Sequence, residues 1–467
     1  MKNILIVATQ PQRFLDQLNL AKELDSTCVN FSILFFIGEK VSQVYKKEVK
    51  ELEFKIINNL SKLTQDSKQK ISIKKILKTF VTTKKKASLR NYINILKNTK
   101  LFTRSLIKQE SYILNELNKK YEYISKLVVE NKIKVLLING DRHLGDEPVF
   151  LKISKELGVP SIIVYLVDYA DEERILKNKM TTKKLKPSFL TSRYIVNSQE
   201  KLKYKIINNK YYYPHPIGNA LQKFGVITKD PYVMGSGASD ILCLNNKHSK
   251  DLYQENGINE KKIRVMGDAS SDRLHGKYIQ KYTIKKELLK KYNLSNDKRT
   301  IVIALPQLGE HNLLSWEDHW IEIFFLMSIL KKLEENVLIS LHPKMDKKEY
   351  QFLESKFSCN ILDERLTDVL PIADVFIATF SSTVIWSVLC GVKTIVVDFY
   401  GLNYTMYDFL TSIKIVDDKK LLQQNLKEML YREVDFSKDW ESLSRDDVFD
   451  GKTTQRYIEL IDEVIDS

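Results

Sequence analysis

The sequence predicts an α/β protein built of two Rossmann-like, doubly wound domains, and three observations predict it. Short apolar runs alternate with stretches of helical periodicity, the rhythm of parallel strands joined by crossover helices. The alternation occurs twice, once from Asn3 and again from Thr300. A polar, Lys-rich stretch from Met266 to Ser295 separates the two series, and 467 residues with 43% hydrophobic content suffice for two full cores.

In the first series, Asn3 to Thr9 is a buried-strand candidate, Phe14 to Leu24 a helix and Phe31 to Ile37 a second strand. From about Glu39 to Glu130 helical periodicity dominates with few Gly or Pro. That is too long for one crossover and reads as a helical insertion in the first domain, residues 1–275. The β-α rhythm resumes with the strand Lys134 to Ile138, the helix Pro148 to Leu157 and the strand Ser161 to Leu166, with Gly158-Val159-Pro160 as the helix stop. Tyr194 to Asn197 and Ile241 to Leu244 read as further short strands. Asp240 to Asp272 reads as strand, helix and second strand, ending in Met266-Gly267-Asp268.

In the second domain, residues 296–467, the strand Ile301 to Leu305 leads to the helix Trp316 to Leu333 and the strand Val337 to Leu341. Val375 to Ala378 and Thr394 to Val397 follow as strands, parted by a helix from about Ser382 to Cys390 that Gly391 should cap. Ligands of such sheets bind outside the strand C-terminal ends, so the two sets of ends are expected to face a common cleft.

Composition narrows the function classes. The net charge is +15, and between Ser67 and Gln109 there are thirteen Lys and Arg and no acidic residue. Such a block attracts phosphates, anionic lipid headgroups or acidic polymers, although a solvated helix face in a Lys-rich chain has the same composition. No helix-turn-helix, zinc-finger or RNP-like pattern accompanies it, so nucleic acid is not the expected partner. Cys28, Cys243, Cys359 and Cys390 lack metal-like spacing and read as buried thiols of a reducing compartment. The apolar start is too short for a secretory signal, and no apolar run reaches the roughly 20 residues of a membrane span. A cytoplasmic protein is expected, with peripheral contact at the inner face of the membrane left open.

Two motifs in the second domain carry chemistry. His342-Pro343-Lys344 directly follows a predicted strand, where the imidazole and ammonium of His342 and Lys344 can meet a phosphate in the ligand crevice. Thr379-Phe380-Ser381-Ser382-Thr383 follows the next strand but one. The hydroxyls of Thr379, Ser381, Ser382 and Thr383 at a helix start suit a phosphate equally well. A plain N-cap is the competing reading. Gly309 and Glu310, in the loop after the domain's first strand, are candidates to line the same donor site.

The segment His342 to Phe399 resembles the C-terminal half of glycosyltransferase-B enzymes that assemble capsule and lipopolysaccharide. Bacterial sialyltransferases, Kdo transferases and CDP-glycerol polymerases share its His-Pro and Ser-Ser/Thr motifs. The resemblance implies that His342, Ser381 and Ser382 grip the nucleotide phosphate of a CMP- or CDP-linked donor. Those families, like the related epimerases, carry a ribose-binding carboxylate four residues after the second Ser. Here that position is Trp386. In the first domain Asn139-Gly140-Asp141-Arg142-His143, ahead of Asp146-Glu147, resembles the Gly-Asp-Arg turn of hydrolysing UDP-N-acetylglucosamine 2-epimerases.

These features imply a metal-independent glycosyltransferase without a cofactor, acting between a nucleotide sugar and an anionic or lipid-linked glycan. Asp141 is the first candidate for the general base, with Glu147 and Glu172 in reserve, and Arg142 and His143 are candidates for substrate binding. Asp146 and Glu147 have a competing reading as partners of the helix dipole. A nucleotide-sugar 2-epimerase or hydrolase, and a non-catalytic polysaccharide- or nucleotide-binding protein, are the alternatives.

Overall fold

The computed structural model describes residues 2–27, 30–58, 89–142, 145–165, 203–207, 211–311, 313–342, 345–379, 381–400 and 405–466. The chain forms two compact units. The first comprises Met1–Leu244, Lys250–Arg264 and Tyr457–Ser467, the second Asn245–Ser249 and Val265–Arg456.

The first unit is built on a seven-stranded sheet. Its strands are β1 (Lys2–Ala8), β2 (Phe31–Ile37), β3 (Lys55–Ile56), β4 (Ile133–Ile138), β5 (Ser161–Ile163), β6 (Ile241–Leu244) and β7 (Ile263–Val265), in the order β3-β2-β1-β4-β5-β6-β7. β1 pairs in parallel with both β2 and β4. The strands read as continuous apolar runs because helices cover the sheet. On one face Leu5, Val7, Leu34, Phe36, Leu136 and Ile138 form a core with Phe150 and Ile153 of the helix Glu147–Leu157.

The second unit holds β8 (Thr300–Ala304), β9 (Asn336–Ser340), β10 (Asn360–Ile361), β11 (Val375–Ala378), β12 (Lys393–Val397) and β13 (Ile413–Val416), ordered β10-β9-β8-β11-β12-β13. Alternation of side chains along each strand divides the core in two. Ile301, Ile303, Val375 and Ile377 pack on one face, and Val302, Phe376 and Ala378 on the other. Both sheets thus follow the Rossmann order, wound outward from a first strand and then back past its other side. The reversal falls between β1 and β4 in one unit and between β8 and β11 in the other.

Two expectations are corrected. The stretch 39–130 is not helical throughout: Lys55–Ile56 pairs with β2 as a third strand, and the long helix Leu89–Glu130 forms part of the connection to β4. Leu117, Ile124 and Val128 of that helix belong to the core. Its first turns carry residues 89–109 of the basic block, while residues 67–88 lie outside the described residues, as does the expected strand 194–197. The Lys-rich stretch 266–295 is not a linker either. It forms the helices Ala269–Ile279 and Lys281–Lys291, which bury Leu274, Ile284 and Leu288 in the second unit's core. Cys243, Cys359 and Cys390 are buried free thiols. Among the described residues no helix is long and apolar enough to cross a membrane.

Candidate functional site

In a parallel sheet every strand ends on the same edge, so three loops of the second unit emerge side by side. His342 follows β9, the loop Leu305 to Glu310 follows β8, and Thr379 to Thr383 follows β11. With strands about 4.8 Å apart, the ends of β9 and β11 are separated by roughly 10 Å, with the β8 loop between them. His342 is exposed, and its carbonyl accepts from the Met345 N–H at 2.8 Å, which turns the chain immediately after the strand. Lys344 lies outside the described residues.

After β11, Thr379 is buried, and Ser381, Ser382 and Thr383 are half-buried. The Ser381 hydroxyl accepts from the Thr383 N–H at 3.3 Å and lies 2.8 Å from the Thr383 hydroxyl. The Tyr407 hydroxyl donates to the Ser381 carbonyl, pinning the loop from behind. Ser382 occupies the cap position of the helix Thr383–Leu389, yet its side chain makes no capping bond. One serine therefore closes the helix start, and the other keeps a hydroxyl that the cap does not use. Trp386, at the position where the resemblance expects a carboxylate, donates its indole N–H to Asp268 at 3.1 Å.

Between these loops, Gly309 and Glu310 are fixed by residues that sequence reasoning missed. The Gly309 N–H donates to Nδ1 of the buried His319 at 3.3 Å, and His319 Nε2 lies 3.0 Å from the Tyr350 hydroxyl. The Tyr350 hydroxyl donates to Glu310 Oε1 at 2.6 Å. Burial lowers the His319 pKa and so favours the neutral ring. With Nδ1 accepting, the single ring proton sits on Nε2 and points at Tyr350. A Cβ at residue 309 would come within 2.9 Å of the Trp316 indole, so only glycine lets the loop lie under that ring. A His and a Tyr among many aromatic residues give no periodic signal for this arrangement.

In the first unit the equivalent edge lies between β1 and β4. Asp141 was expected there as the base, but its carboxylate is fully buried and already occupied. Oδ1 accepts from the Gly235 N–H at 2.9 Å, and Oδ2 accepts from the Gly237 N–H at 2.7 Å and the Ser239 hydroxyl at 3.0 Å. Lys262 Nζ stands 3.7 Å away. A Cβ on Gly237 would meet the carboxylate at 2.8 Å. Arg142 is equally enclosed: its guanidinium donates to the carbonyls of Pro231 at 3.0 Å and Tyr232 at 2.7 Å and lies over the Tyr212 ring. Both residues thus anchor the 228–239 loop, and this geometry moves the base and substrate roles off them. His143 and Glu172 lie outside the described residues.

Glu147 remains. It opens the helix after β4, is wholly buried, and accepts at Oε1 from Gln10 Nε2 at 2.9 Å and from the Thr9 hydroxyl, both residues following β1. Among the described residues its Oε2 has no hydrogen-bond partner, and neither has either amide atom of Asn139, 7% exposed, in the turn after β4. Burial is the main cause that raises the Glu147 pKa. The pair places acid–base capacity and an unspent amide at the chain reversal of the first sheet. Among the described residues no group of His, Cys, Asp and Glu is disposed to hold a metal ion.

No protein-family model matches the chain, and no curated protein matches it. Solved structures do. The UDP-GlcNAc 2-epimerase from Neisseria meningitidis bound to UDP-GlcNAc is similar with a TM-score of 0.50, at 10% identity over 99% of this chain and 100% of that one. The UDP-GlcNAc 2-epimerase from Methanocaldococcus jannaschii has a TM-score of 0.49, at 12% identity over 99% and 100%. The wall teichoic acid polymerase TagF has a TM-score of 0.47, at 12% identity over 100% and 89%. Likeness at this identity concerns the fold alone: two Rossmann-like α/β domains of the glycosyltransferase-B type.

The buried Glu147 yields a pH test. Its folded pKa is raised, whereas the unfolded group titrates near the ordinary value of about 4.3. The stability owed to its neutral form is therefore fully present below that value and is lost as pH rises through the folded pKa. In Glu147→Gln an amide replaces Oε2 and nothing titrates. Urea unfolding from about pH 4 to about pH 8 is expected to show the wild type losing stability relative to the variant as pH rises. A constant difference across that range means that folding does not shift the Glu147 pKa.

Proposed function

We propose that the chain is a glycosyltransferase that moves a sugar from a nucleotide-activated donor, CMP- or CDP-linked by the resemblance of its motifs, to a cell-surface polysaccharide or lipid-linked acceptor. The observation that carries this reading is the edge of the second sheet. There His342, the Glu310 loop and the Ser382 hydroxyl, which the helix cap leaves unused, stand at the chain reversal. Hydroxyls and an imidazole at such an edge suit a phosphate that gains charge as the bond to the sugar breaks.

In this reading the acceptor hydroxyl attacks the anomeric carbon of the donor. Its proton passes to a carboxylate, and the bonding pair of the cleaved bond goes to the departing phosphate oxygen. His342, Ser381 and Ser382 receive that phosphate, so the step needs no metal ion. A nucleotide-sugar 2-epimerase or hydrolase is the second reading. Its motif, Gly140-Asp141-Arg142, is spent on anchoring the 228–239 loop, which counts against it.

Calorimetric titration with CMP, CDP and UDP tests the nucleotide site. At least one is expected to bind, and Ser382→Ala and His342→Ala should each weaken it by about ten- to a hundredfold while leaving the melting temperature in place. Unchanged affinity in both folded variants removes these residues from the site.

The basic block supports a second element of the proposal, attachment to an anionic membrane or acceptor. Each Lys or Arg close to such a surface contributes about 1 kcal/mol. Co-sedimentation with phosphatidylserine-containing vesicles should be strong at low salt and vanish as salt is added. If reversing the charges of Lys84, Lys85 and Lys86 leaves sedimentation unaltered, the block is only a solvated face.

A further inference from the structure

The helix Trp316–Lys331, which joins β8 to β9, is apolar on more sides than the fold uses. Its inner face, Ile323, Leu326, Met327 and Leu330, is buried in the core of the second unit. A helix at a domain surface normally turns charged and polar residues outward. Here no charged residue stands between Glu322 and Lys331, and the outward positions are Ile321, Phe324, Phe325 and Ser328. Ile321 is 57% exposed, and both phenylalanines are half-buried. Phe352, itself exposed, widens the patch, its ring centre 5.9 Å from that of Phe324. Lysines border the face on both flanks. Lys356 Nζ lies 4.1 Å from the Phe324 ring centre and Lys419 Nζ 5.3 Å from that of Phe325.

The charges along this face select what covers it. Successive turns bring Glu317, Ile321, Phe324, Phe325, Ser328 and Lys332 to one side of the helix. The face is therefore acidic at its first turn, apolar in its middle and basic at its end, where Lys332 keeps helical backbone angles. Glu317 and Lys332 are exposed, and neither forms an ion pair among the described residues. Asp318 and Glu322, by contrast, are engaged by Ser315 and Lys419. An anionic surface laid on this ridge would meet Glu317 and Asp318 at one end. The same face turned end for end instead offers Lys332 to Glu317. A two-fold axis crossing the helix between Phe324 and Phe325 sets Ile321 of one copy against Ser328 of the other, large against small. The Ser328 hydroxyl already donates to the Phe325 carbonyl at 2.8 Å, so it needs no donor partner across the contact. The two helix dipoles then run antiparallel as well.

We propose that this face joins two copies of the chain, through antiparallel pairing of the helix Trp316–Lys331 about a two-fold axis. The pairing involves residues of the second unit alone and does not depend on the nucleotide reading. A single helix about 24 Å long offers less area than the roughly 800 Å² per partner of a standard interface, so the dimer is a weak one, with a dissociation constant of about 1–100 µM.

Sedimentation equilibrium of the full chain tests this at low salt, where the charge pairs are least screened, over protein concentrations spanning that range. The wild type is expected to pass from monomer to dimer, and Ile321→Glu to weaken association by about tenfold or more. Glu317→Lys and Lys332→Glu each bring like charges together twice per dimer and should each weaken it by about three- to thirtyfold. Mixing these two variants in equal amounts, or combining both substitutions in one chain, should restore association, which a merely structural effect of either change would not do. Near-ultraviolet circular dichroism checks that each variant is folded. A wild type that stays monomeric throughout overturns the proposal. So does a dimer that survives Ile321→Glu, or charge variants that their combination fails to rescue.

Discussion

Everything placed at the candidate site depends on the reversal of winding in an all-parallel sheet. Because β8 lies between β9 and β11, the loops that leave these three strands must share one edge, about 5 Å from one strand to the next. Residues far apart in sequence, His342 and Ser382 among them, become neighbours without any direct bond between them. The same order in the first sheet brings Thr9 and Gln10, after β1, onto Glu147, after β4. The paired apolar runs matter to function because they fix this edge, and the polar residues just beyond them inherit its geometry.

Buried polar hubs then decide which of those residues are available. Asp141 and Arg142 stand where a catalytic pair could be, yet the Asp141 carboxylate is taken up by Gly235, Gly237 and Ser239, and Arg142 binds two carbonyls of the same 228–239 loop. Both are buried, and removing a partner of either would leave a buried ion less well compensated. His319 acts by the opposite logic. It is buried and neutral, with both ring nitrogens engaged, and its hydrogen bonds hold a neighbouring carboxylate in place. Ser381 and Ser382 divide their work in the same way, one closing a helix start and the other left with an unused hydroxyl.

Much of this was legible in the sequence. The runs from Phe31, Ile241 and Val375 are strands at the expected limits, because strands buried on both faces must be continuously apolar. The two-residue strands β3 and β10 were not legible, being too short to set a period, and neither was β13 at the sheet edge, where Lys414 is exposed. The Lys-rich stretch after Met266 hid two helices. Ile284 and Leu288, four residues apart, were the signal, and the lysines around them masked it. Asp141 misled for another reason: what encloses it arrives from residues more than ninety positions later, and no local pattern announces that return. The pairing of His319 with Tyr350 and Glu310 is likewise a product of tertiary packing.

The central claim is that a sugar leaves a nucleotide and reaches an acceptor hydroxyl. It is tested most directly by incubating the protein with CMP-, CDP- and UDP-linked sugars, with and without capsule or lipid-linked glycan acceptors, and analysing the products by mass spectrometry. Transfer predicts nucleotide release that depends on the acceptor and a matching gain of one sugar mass on that acceptor. Release of nucleotide at the same rate without acceptor, or conversion of the nucleotide sugar into its epimer, would contradict it.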